Sequence, residues 1–383
     1  MEADMEILQN FINENYSIKK ENLEMNIEQI DGMTNHNYHI IFNDKNTPDK
    51  KHNILFRKYG EILDPSSHSS ELSIMNFYSN KNEGPRLLYT SNQYRIDEYI
   101  SNHQMIPLEF RYEPDVLNDI NQKLAEYGLI SNIYKYSISP DLNIEKKVYI
   151  SNNQNNFDTI FELSDKMYHK AIDKFNAFKA KFNDYIAKNP TKCDEDTKKR
   201  VEKFKQYLTD YKKKFVELFP KEGFLILCHN DCQRWNFLFK SITSKLLIID
   251  HEYACLAIPG LDLCNYMNEN SYYFLDNGKY EFRKEEIEFD FYYNFYLDYY
   301  TKFVKLNKDW VTKDENKEFL ELIKSKNYYL NLHSITNVFW FLFCAINLEF
   351  DEEIINKNSH YLEYGADRLA YSEYAQSLIK AAN

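Results

Sequence analysis

The chain is predicted to be an α+β protein in two lobes, a small β-rich N-terminal lobe and a larger, mainly helical C-terminal lobe. Three observations predict it. Alternating apolar segments occupy much of residues 36–100, and helical periodicities fill most of the remainder. Within the helical part, two short apolar strands stop abruptly at polar residues, Phe224–Cys228 before His229-Asn-Asp231 and Leu246–Ile249 before Asp250. A length of 383 residues is long for a single core and suits two lobes, assigned here to 1–100 and 101–383.

Ile7, Leu8, Phe11 and Ile12 fall at helical spacing, so residues 1–30 are expected to form one or two helices. Asp31 to Phe42 reads as a glycine-containing turn entering a strand, 43–52 as a polar hairpin loop, and Asn53 to Tyr59 as the returning strand. A Ser/Pro/His-rich loop at 61–69 precedes a short helix from Glu71 to Tyr78, and Leu87–Tyr89 and Tyr94–Ile100 are two further strands.

Beyond Ile100, Val116, Ile120 and Leu124 make one helical stripe ending near Gly128. Residues 131–158 are polar and Asn-rich and are expected to be an insertion or flexible loop. Phe161 to Phe182 is broadly helical. Val201, Phe204, Leu208, Tyr211, Phe215 and Leu218 repeat at alternating three and four, an amphipathic helix whose Lys-rich face reads as solvated surface and which Pro220 and Gly223 end. Helices at 292–303, 319–331, 336–348 and 362–381 complete the chain.

Composition excludes several classes. A formal charge of −12 argues against a nucleic-acid binder, which needs a basic face. The 6 cysteines show no disulfide-like spacing, and Cys228, His229 and Cys232 lack the second pair that a zinc site requires, so reduced cysteines are expected. The first residues lack the basic start and apolar core of a signal peptide, and the longest apolar run, Val338 to Ile346, falls short of the ~20 residues of a membrane helix. A cytoplasmic chain without a transmembrane segment is therefore expected. With 32 Tyr and 27 Phe, any single aromatic residue is weak evidence of a site.

The chemistry lies at the two strand ends. His229-Asn-Asp231-Cys-Gln-Arg-Trp-Asn236 has the form H-x-D-x₄-N, a spacing that lets a loop set Asp231 beside an attacking hydroxyl while Asn236 turns back toward a metal ion. Asp250 ends the next strand, where it can bridge magnesium to phosphates, and Glu252 two residues on falls on the same side if the strand continues. His229 is expected to hold the loop through hydrogen bonds rather than to act as a base. These features, in a β-rich lobe followed by a helical one, are the plan of a protein-kinase-like fold.

The chain resembles the choline/ethanolamine kinase family, small-molecule relatives of the protein kinases. The resemblance rests on His229 to Asn236, on Ile249-Asp-His-Glu-Tyr253, and on Gly260-Leu-Asp-Leu-Cys-Asn-Tyr266 with Glu269. Gly32-Met-Thr-Asn35, Ile54 to Gly60, Gly84 to Tyr89, Arg95 to Ile100, Phe339 to Phe343 and Tyr361 to Tyr364 extend it collinearly over about residues 30–370.

The resemblance implies ATP and Mg2+ as cofactors. It makes Asp231 the residue that orients or deprotonates the substrate hydroxyl, places Gln233 near the transferred phosphate, and gives magnesium to Asn236 and Asp250, with Glu252 joining or bracing them. Gly32, Thr34 and Asn35 would form the phosphate loop, Arg57 would pair with phosphate oxygens under the control of Glu71, and Glu98, Tyr99 and Ile100 would meet the adenine through backbone groups. Glu269, Phe274, Trp340, Phe343 and Tyr364 would surround the cationic head of the substrate. A quaternary ammonium has no N–H to donate and is best held by aromatic faces beside a carboxylate.

Four departures stand out: Phe343 and Phe274 where the family often has Trp and Tyr, Trp235 where it usually has Gly, and His251 where it has Phe. A fifth is Asp31-Gly32 in place of paired glycines. None removes a catalytic group. The expectation is choline kinase, with phosphocholine as the product. Ethanolamine kinase, or a kinase for another amine-bearing alcohol such as an aminoglycoside, is the alternative. A non-catalytic kinase-like binding module is disfavoured by the intact Asp231, Asn236 and Asp250. A homodimer is expected from the resemblance alone.

Overall fold

Alternation along the first strands sets the architecture of the N-terminal unit. In a computed structural model, which describes residues 2–30, 35–60, 68–151, 157–239, 246–274, 280–283, 288–311, 313–350 and 360–382, the chain separates into two compact units, 1–103 and 104–383. The first contains α1 (Glu2–Tyr16), β1 (Leu23–Ile30), β2 (His36–Asp44), β3 (His52–Lys58), α2 (His68–Asn80), β4 (Leu87–Thr90) and β5 (Tyr94–Glu98). Its antiparallel sheet has the order β1-β2-β3-β5-β4. Ile40, Phe42, Ile54, Phe56 and Ile96 point to one face and pack on Leu8, Phe11 and Ile12 of α1. By the two-residue period of a strand, Arg57, Arg95 and Asp97 then share the opposite face.

Residues 23–30 correct the expectation of leading helices throughout 1–30. They form an edge strand paired along its whole length with β2, and most of its side chains are exposed, so no apolar alternation marks it in the sequence.

The second unit begins with β6 (Gln104–Met105), α3 (Pro114–Tyr127), β7 (Ile133–Ile138) and β8 (Ile144–Ile150). Then come α4 (Ile160–Lys188), α5 (Glu195–Glu217), β9 (Glu222–Cys228), β10 (Phe237–Phe239), β11 (Leu247–Ile248), β12 (Cys255–Ala257) and α6 (Leu261–Glu269). The hairpin of β13 (Tyr272–Phe274) and β14 (Tyr280–Phe282) follows, and then α7 (Phe289–Leu306), α8 (Lys308–Val311), α9 (Lys317–Lys324), α10 (Lys326–Ile346) and α11 (His360–Ala382).

Residues 133–150 are a second correction. They form an antiparallel hairpin whose β7 pairs with β9 in a sheet of order β12-β9-β7-β8, with Ile133, Tyr134 and Tyr136 buried. The polar residues that suggested a loop belong to the exposed edge strand β8 and to the turn before it. Residues 152–156 of that stretch lie outside the described residues. The helix expected over 161–182 runs instead from Ile160 to Lys188, opened by a Thr159/Glu162 capping box.

α10 is buried along almost its whole length and packs on α4, α6 and α11. It is the one described helix long and apolar enough to cross a membrane, yet 94% of that apolar stretch is buried inside the protein, as in a core helix.

Candidate active site

Strand β9 is buried from Gly223 to Cys228, and its end delivers His229, Asn230 and Asp231 in a turn that α6 holds from below. Both oxygens of the Asp262 carboxylate accept backbone N–H bonds, from His229 and from Asn230, each at 2.8 Å. Asn265 Oδ1 accepts the Cys232 N–H at 2.5 Å. Asn230 adopts φ 63°, a left-handed conformation that Asn tolerates better than most residues, and its Nδ2 donates to the carbonyls of Cys228 and Tyr253. α6 can start where it does because Gly260, at φ 89°, fits where a Cβ would come within 2.6 Å of the Tyr296 ring.

His229 has the structural role expected of it. Its Nε2 lies 2.9 Å from the Ile249 carbonyl, and its Nδ1 accepts the Asp231 N–H at 3.3 Å. That pair of contacts requires the neutral Nε2–H tautomer and leaves no nitrogen to serve as a base. His251 belongs to the same support. Its Nδ1 is hydrogen-bonded to the Tyr127 hydroxyl at 3.0 Å, and its ring lies edge-on to His229, so an imidazole replaces the usual Phe with a buried polar link. Trp235 is half-buried beneath the Arg234 guanidinium, 4.3 Å from its ring, while Arg234 donates to the Ile106 carbonyl.

Asp231, Asn236 and Gln233 are brought together. Asn236 Nδ2 donates to both the carbonyl and the Oδ2 of Asp231, each at 2.8 Å, and Gln233 Nε2 donates to the same Oδ2 at 3.2 Å. Burial first, and then the neighbouring carboxylates of Asp250, Glu269 and Glu252, push the Asp231 carboxyl well above its ordinary range. Asp250 follows β11 at φ 64°, and Glu252 is buried. Among the described residues no three His, Cys, Asp or Glu side chains form a closed metal site. The donors present, two carboxylates and an amide already oriented through its nitrogen, are hard oxygens. They suit a magnesium ion held by one or two protein groups and completed by substrate phosphates.

At the far end of α6, Glu269 meets a group that sequence reasoning did not find. Arg368 of α11 donates from Nη2 to Glu269 Oε1 at 2.5 Å and to the Tyr364 hydroxyl. Its guanidinium lies over the rings of Tyr272 and Tyr364, at 4.4 and 4.6 Å. The Tyr364 hydroxyl reaches Glu269 Oε2 at 3.4 Å, and Asn265 Nδ2 reaches Oε1 at 3.5 Å. Trp340 and Phe343 are in edge contact on α10, and Tyr253 and Tyr361 extend the row of rings at either end. Phe274 closes β13, but its side chain lies outside the described residues. Asp262, Asn265 and Arg368 are the functional residues missed. The first two stand in the Gly260–Tyr266 signature, where roles were not assigned, and the third is one helical turn beyond Tyr364.

In the N-terminal unit, Gly32 and Thr34 lie outside the described residues. Asn35 is buried and accepts the Gly60 N–H through Oδ1 at 3.1 Å, joining the entry of β2 to the exit of β3. Arg57 and Glu71 are within ion-pair range at 3.8 Å. At the end of β5, Glu98 pairs with Arg86 at 3.0 Å, and the Tyr99 ring stacks on His39 with centroids 3.7 Å apart. Ile100 follows directly in the irregular stretch that ends this unit.

Comparison with known proteins agrees with this architecture. A choline kinase from Cryptosporidium parvum superposes with a TM-score of 0.62 at 18% identity, covering 99% of this chain and 97% of that one. An ethanolamine kinase from Plasmodium vivax gives 0.52 at 16%, covering 91% and 82%. In sequence, a probable ethanolamine kinase A from Dictyostelium discoideum is 28% identical over 144 residues, which is 38% of this chain and only 36% of that protein. The family model for choline/ethanolamine kinases matches residues 27–373, nearly the whole described fold with both strand ends and α6 inside it, and the chain belongs to that family.

Proposed function

We propose that the protein transfers the γ-phosphate of ATP to the hydroxyl of a small cationic amino alcohol, with choline as the preferred acceptor. The observation that carries this reading is the single polar face of α6. Asp262, Asn265 and Glu269, at i, i+3 and i+7, lie on one side of the helix. The first two clamp the loop of Asp231, and the third ends in a carboxylate framed by aromatic rings. One rigid element thus sets the distance between the group that orients a hydroxyl and the group that attracts an amine.

Asp231 accepts the hydroxyl proton of the alcohol and points its oxygen at the phosphorus. Burial and the neighbouring carboxylates raise the tendency of Asp231 to hold a proton, and cations bound beside it oppose that tendency. Asn236 and Gln233 brace the Asp231 carboxylate, and Asn236, Asp250 and Glu252 would hold magnesium. Magnesium, when bound, neutralises charge on the β- and γ-phosphates. Arg57 pairs with phosphate oxygens from the N-terminal unit, and the 98–100 backbone meets the base.

Preference for choline is supported by Arg368, which already occupies Glu269 Oε1, so selection falls on the faces of Tyr253, Trp340, Phe343 and Tyr361. Ethanolamine is the second reading. The Tyr253 hydroxyl and Asn230 Oδ1 are buried with no hydrogen-bond partner among the described residues, and a primary ammonium has N–H donors to offer them. The Dictyostelium relative carries that name as well. The family resemblance also favours a homodimer, which sedimentation tests, and a cytoplasmic location is proposed, which cell fractionation tests.

The test of the mechanism is Asp231→Asn, assayed for phosphorylated product with ATP, magnesium and each amine. The variant should lose about 10²–10⁴-fold in turnover, as expected for removal of a general base. Full turnover would reject the role of Asp231.

A further inference from the structure

Strand β13 gives two neighbouring tyrosines opposite faces of a hairpin. Tyr272 is buried, stacks on Phe282 of β14 with centroids 4.9 Å apart, and meets the Tyr364 ring edge-on at 4.8 Å. This is the face over which the Arg368 guanidinium lies while it donates to Glu269. Tyr273 turns the other way. Arg111, in the turn before α3, donates from Nη2 to the Tyr273 hydroxyl. The Arg111 guanidinium also lies 5.0 Å from the Tyr273 ring and 4.4 Å from that of Tyr112, and its Nη1 donates to the Leu108 carbonyl at 2.6 Å.

A two-stranded hairpin is marginally stable by itself, and β13 and β14 pair over only 3 residues each. Its placement therefore depends on what grips its two faces. On the face of Tyr272 the grip is aromatic and comes from α11. On the other face, Arg283 lies 3.8 Å from the Tyr273 ring but belongs to the hairpin's own end, where its N–H donates to the Ser271 carbonyl at 3.0 Å. Arg111 links that face to the body of the C-terminal unit.

Arg111 also reaches α6. Its carbonyl accepts the Tyr266 hydroxyl at 2.8 Å, three residues before Glu269. The two links use different parts of the residue: the backbone meets the helix that carries Glu269, and the side chain meets the hairpin that carries Tyr272. A side-chain substitution at Arg111 therefore loosens the hairpin and spares the bond to α6.

We propose that Arg111 is a positioning residue for the amine pocket. Its guanidinium holds Tyr273 and, through the hairpin, keeps Tyr272 against Tyr364 and Arg368, so that Glu269 and the rings about it keep their spacing for the cationic head. The proposal rests on the reading of Glu269 and Tyr364 as the amine site, and adds a determinant of amine affinity that acts from behind the pocket wall.

The experiment uses the full chain and reads kcat, the KM for choline, for ethanolamine and for ATP, and the rise in melting temperature on adding magnesium and ATP. Glu269→Gln tests the pocket itself and should raise the amine KM. An unchanged value there would refute the reading of the site and the proposal with it. Arg111→Met removes the guanidinium and should raise both amine KM values about fivefold to tenfold, with the KM for ATP and the ATP-induced thermal shift unchanged and kcat within about threefold. Tyr273→Phe keeps the ring, removes the hydroxyl that Arg111 grips, and should raise the amine KM about threefold. It carries the test if Arg111→Met fails to fold. The two substitutions combined should raise the amine KM no further than Arg111→Met alone, because both break one link. A merely structural Arg111 lowers the melting temperature without moving the amine KM. That result, found while Glu269→Gln does raise the KM, overturns the proposal and leaves the reading of the pocket standing. Equal rises in the KM for ATP and for the amines, or additive effects in the double variant, overturn it as well.

Discussion

The Trp340 indole N–H donates to the carbonyl of Asn230 at 3.1 Å. A residue expected to wall the amine pocket therefore also fixes the peptide group that immediately precedes Asp231. This gives Trp340 two separable effects. Trp340→Phe keeps a ring but leaves the Asn230 carbonyl without this donor, and should lower kcat about 3–10-fold at nearly constant amine KM, the size of one lost hydrogen bond. Trp340→Ala should also raise the KM for choline more than that for ethanolamine. Steady-state kinetics with both amines separates the two effects, and an unchanged kcat in Trp340→Phe would remove the loop-holding role.

Asp262 offers both oxygens to peptide N–H groups, and burial pushes its carboxyl up to about 6. Asp262→Asn turns one acceptor into an NH2 facing an N–H. The expected loss is about 10–100-fold in kcat, because one loop contact is lost and replaced by two opposed donors. The ATP-induced rise in melting temperature should persist, since the N-terminal unit is untouched. Loss of that shift together with kcat would point to unfolding instead.

Arg368, 1% exposed, pairs with the partly buried Glu269. Arg368→Met strands a carboxylate and should destabilise the chain by about 3–5 kcal/mol in urea unfolding. Glu269→Gln combined with Arg368→Met should recover much of this, because a neutral pair needs no counter-charge. Strictly additive effects would contradict the pairing.

His333 is fully buried on α10. Its Nδ1 meets Asn268 Oδ1 at 2.5 Å, and its Nε2 has no partner among the described residues. Burial lowers its pKa to about 3. The unfolded chain, with an ordinary imidazole near 6.5, therefore binds more protons between pH 3 and 6.5. The stability this contributes is complete above about 6.5 and is lost as the pH falls through that window. Between pH 6.5 and 5 the loss from this one group is about 2 kcal/mol. His333→Gln should be less stable at pH 7.5 but should lose correspondingly less on acidification. Parallel pH curves for the two proteins would count against a neutral buried imidazole.

The loop from His229 to Asn236 was legible in the sequence because its information is local: an apolar strand, a polar stop, and Asn236 five residues after Asp231. The clamp beneath it was not, because Asp262 and Asn265 act on peptide N–H groups about 30 residues earlier, which no side-chain pattern records. That Arg95 as well as Arg57 faces Glu71 depends on the register of β3 with β5, a non-local property. β1 and the β7–β8 hairpin escaped for a related reason. β1 and β8 are edge strands with no buried residue, so the alternation that marks a strand is muted. Arg368 escaped because a charged residue on a helix ordinarily faces solvent, and only α11 packed against Tyr272 and Glu269 makes it buried.

The central claim is that Asp231 and Glu269 together act on a small cationic alcohol. The most direct measurement is kcat/KM for choline and for ethanolamine with ATP and magnesium, on the wild type and on Glu269→Gln. Both amines should be turned over with choline preferred, and kcat/KM for each should fall in Glu269→Gln. Absence of phosphorylated product from either amine, with another alcohol phosphorylated instead, would contradict it.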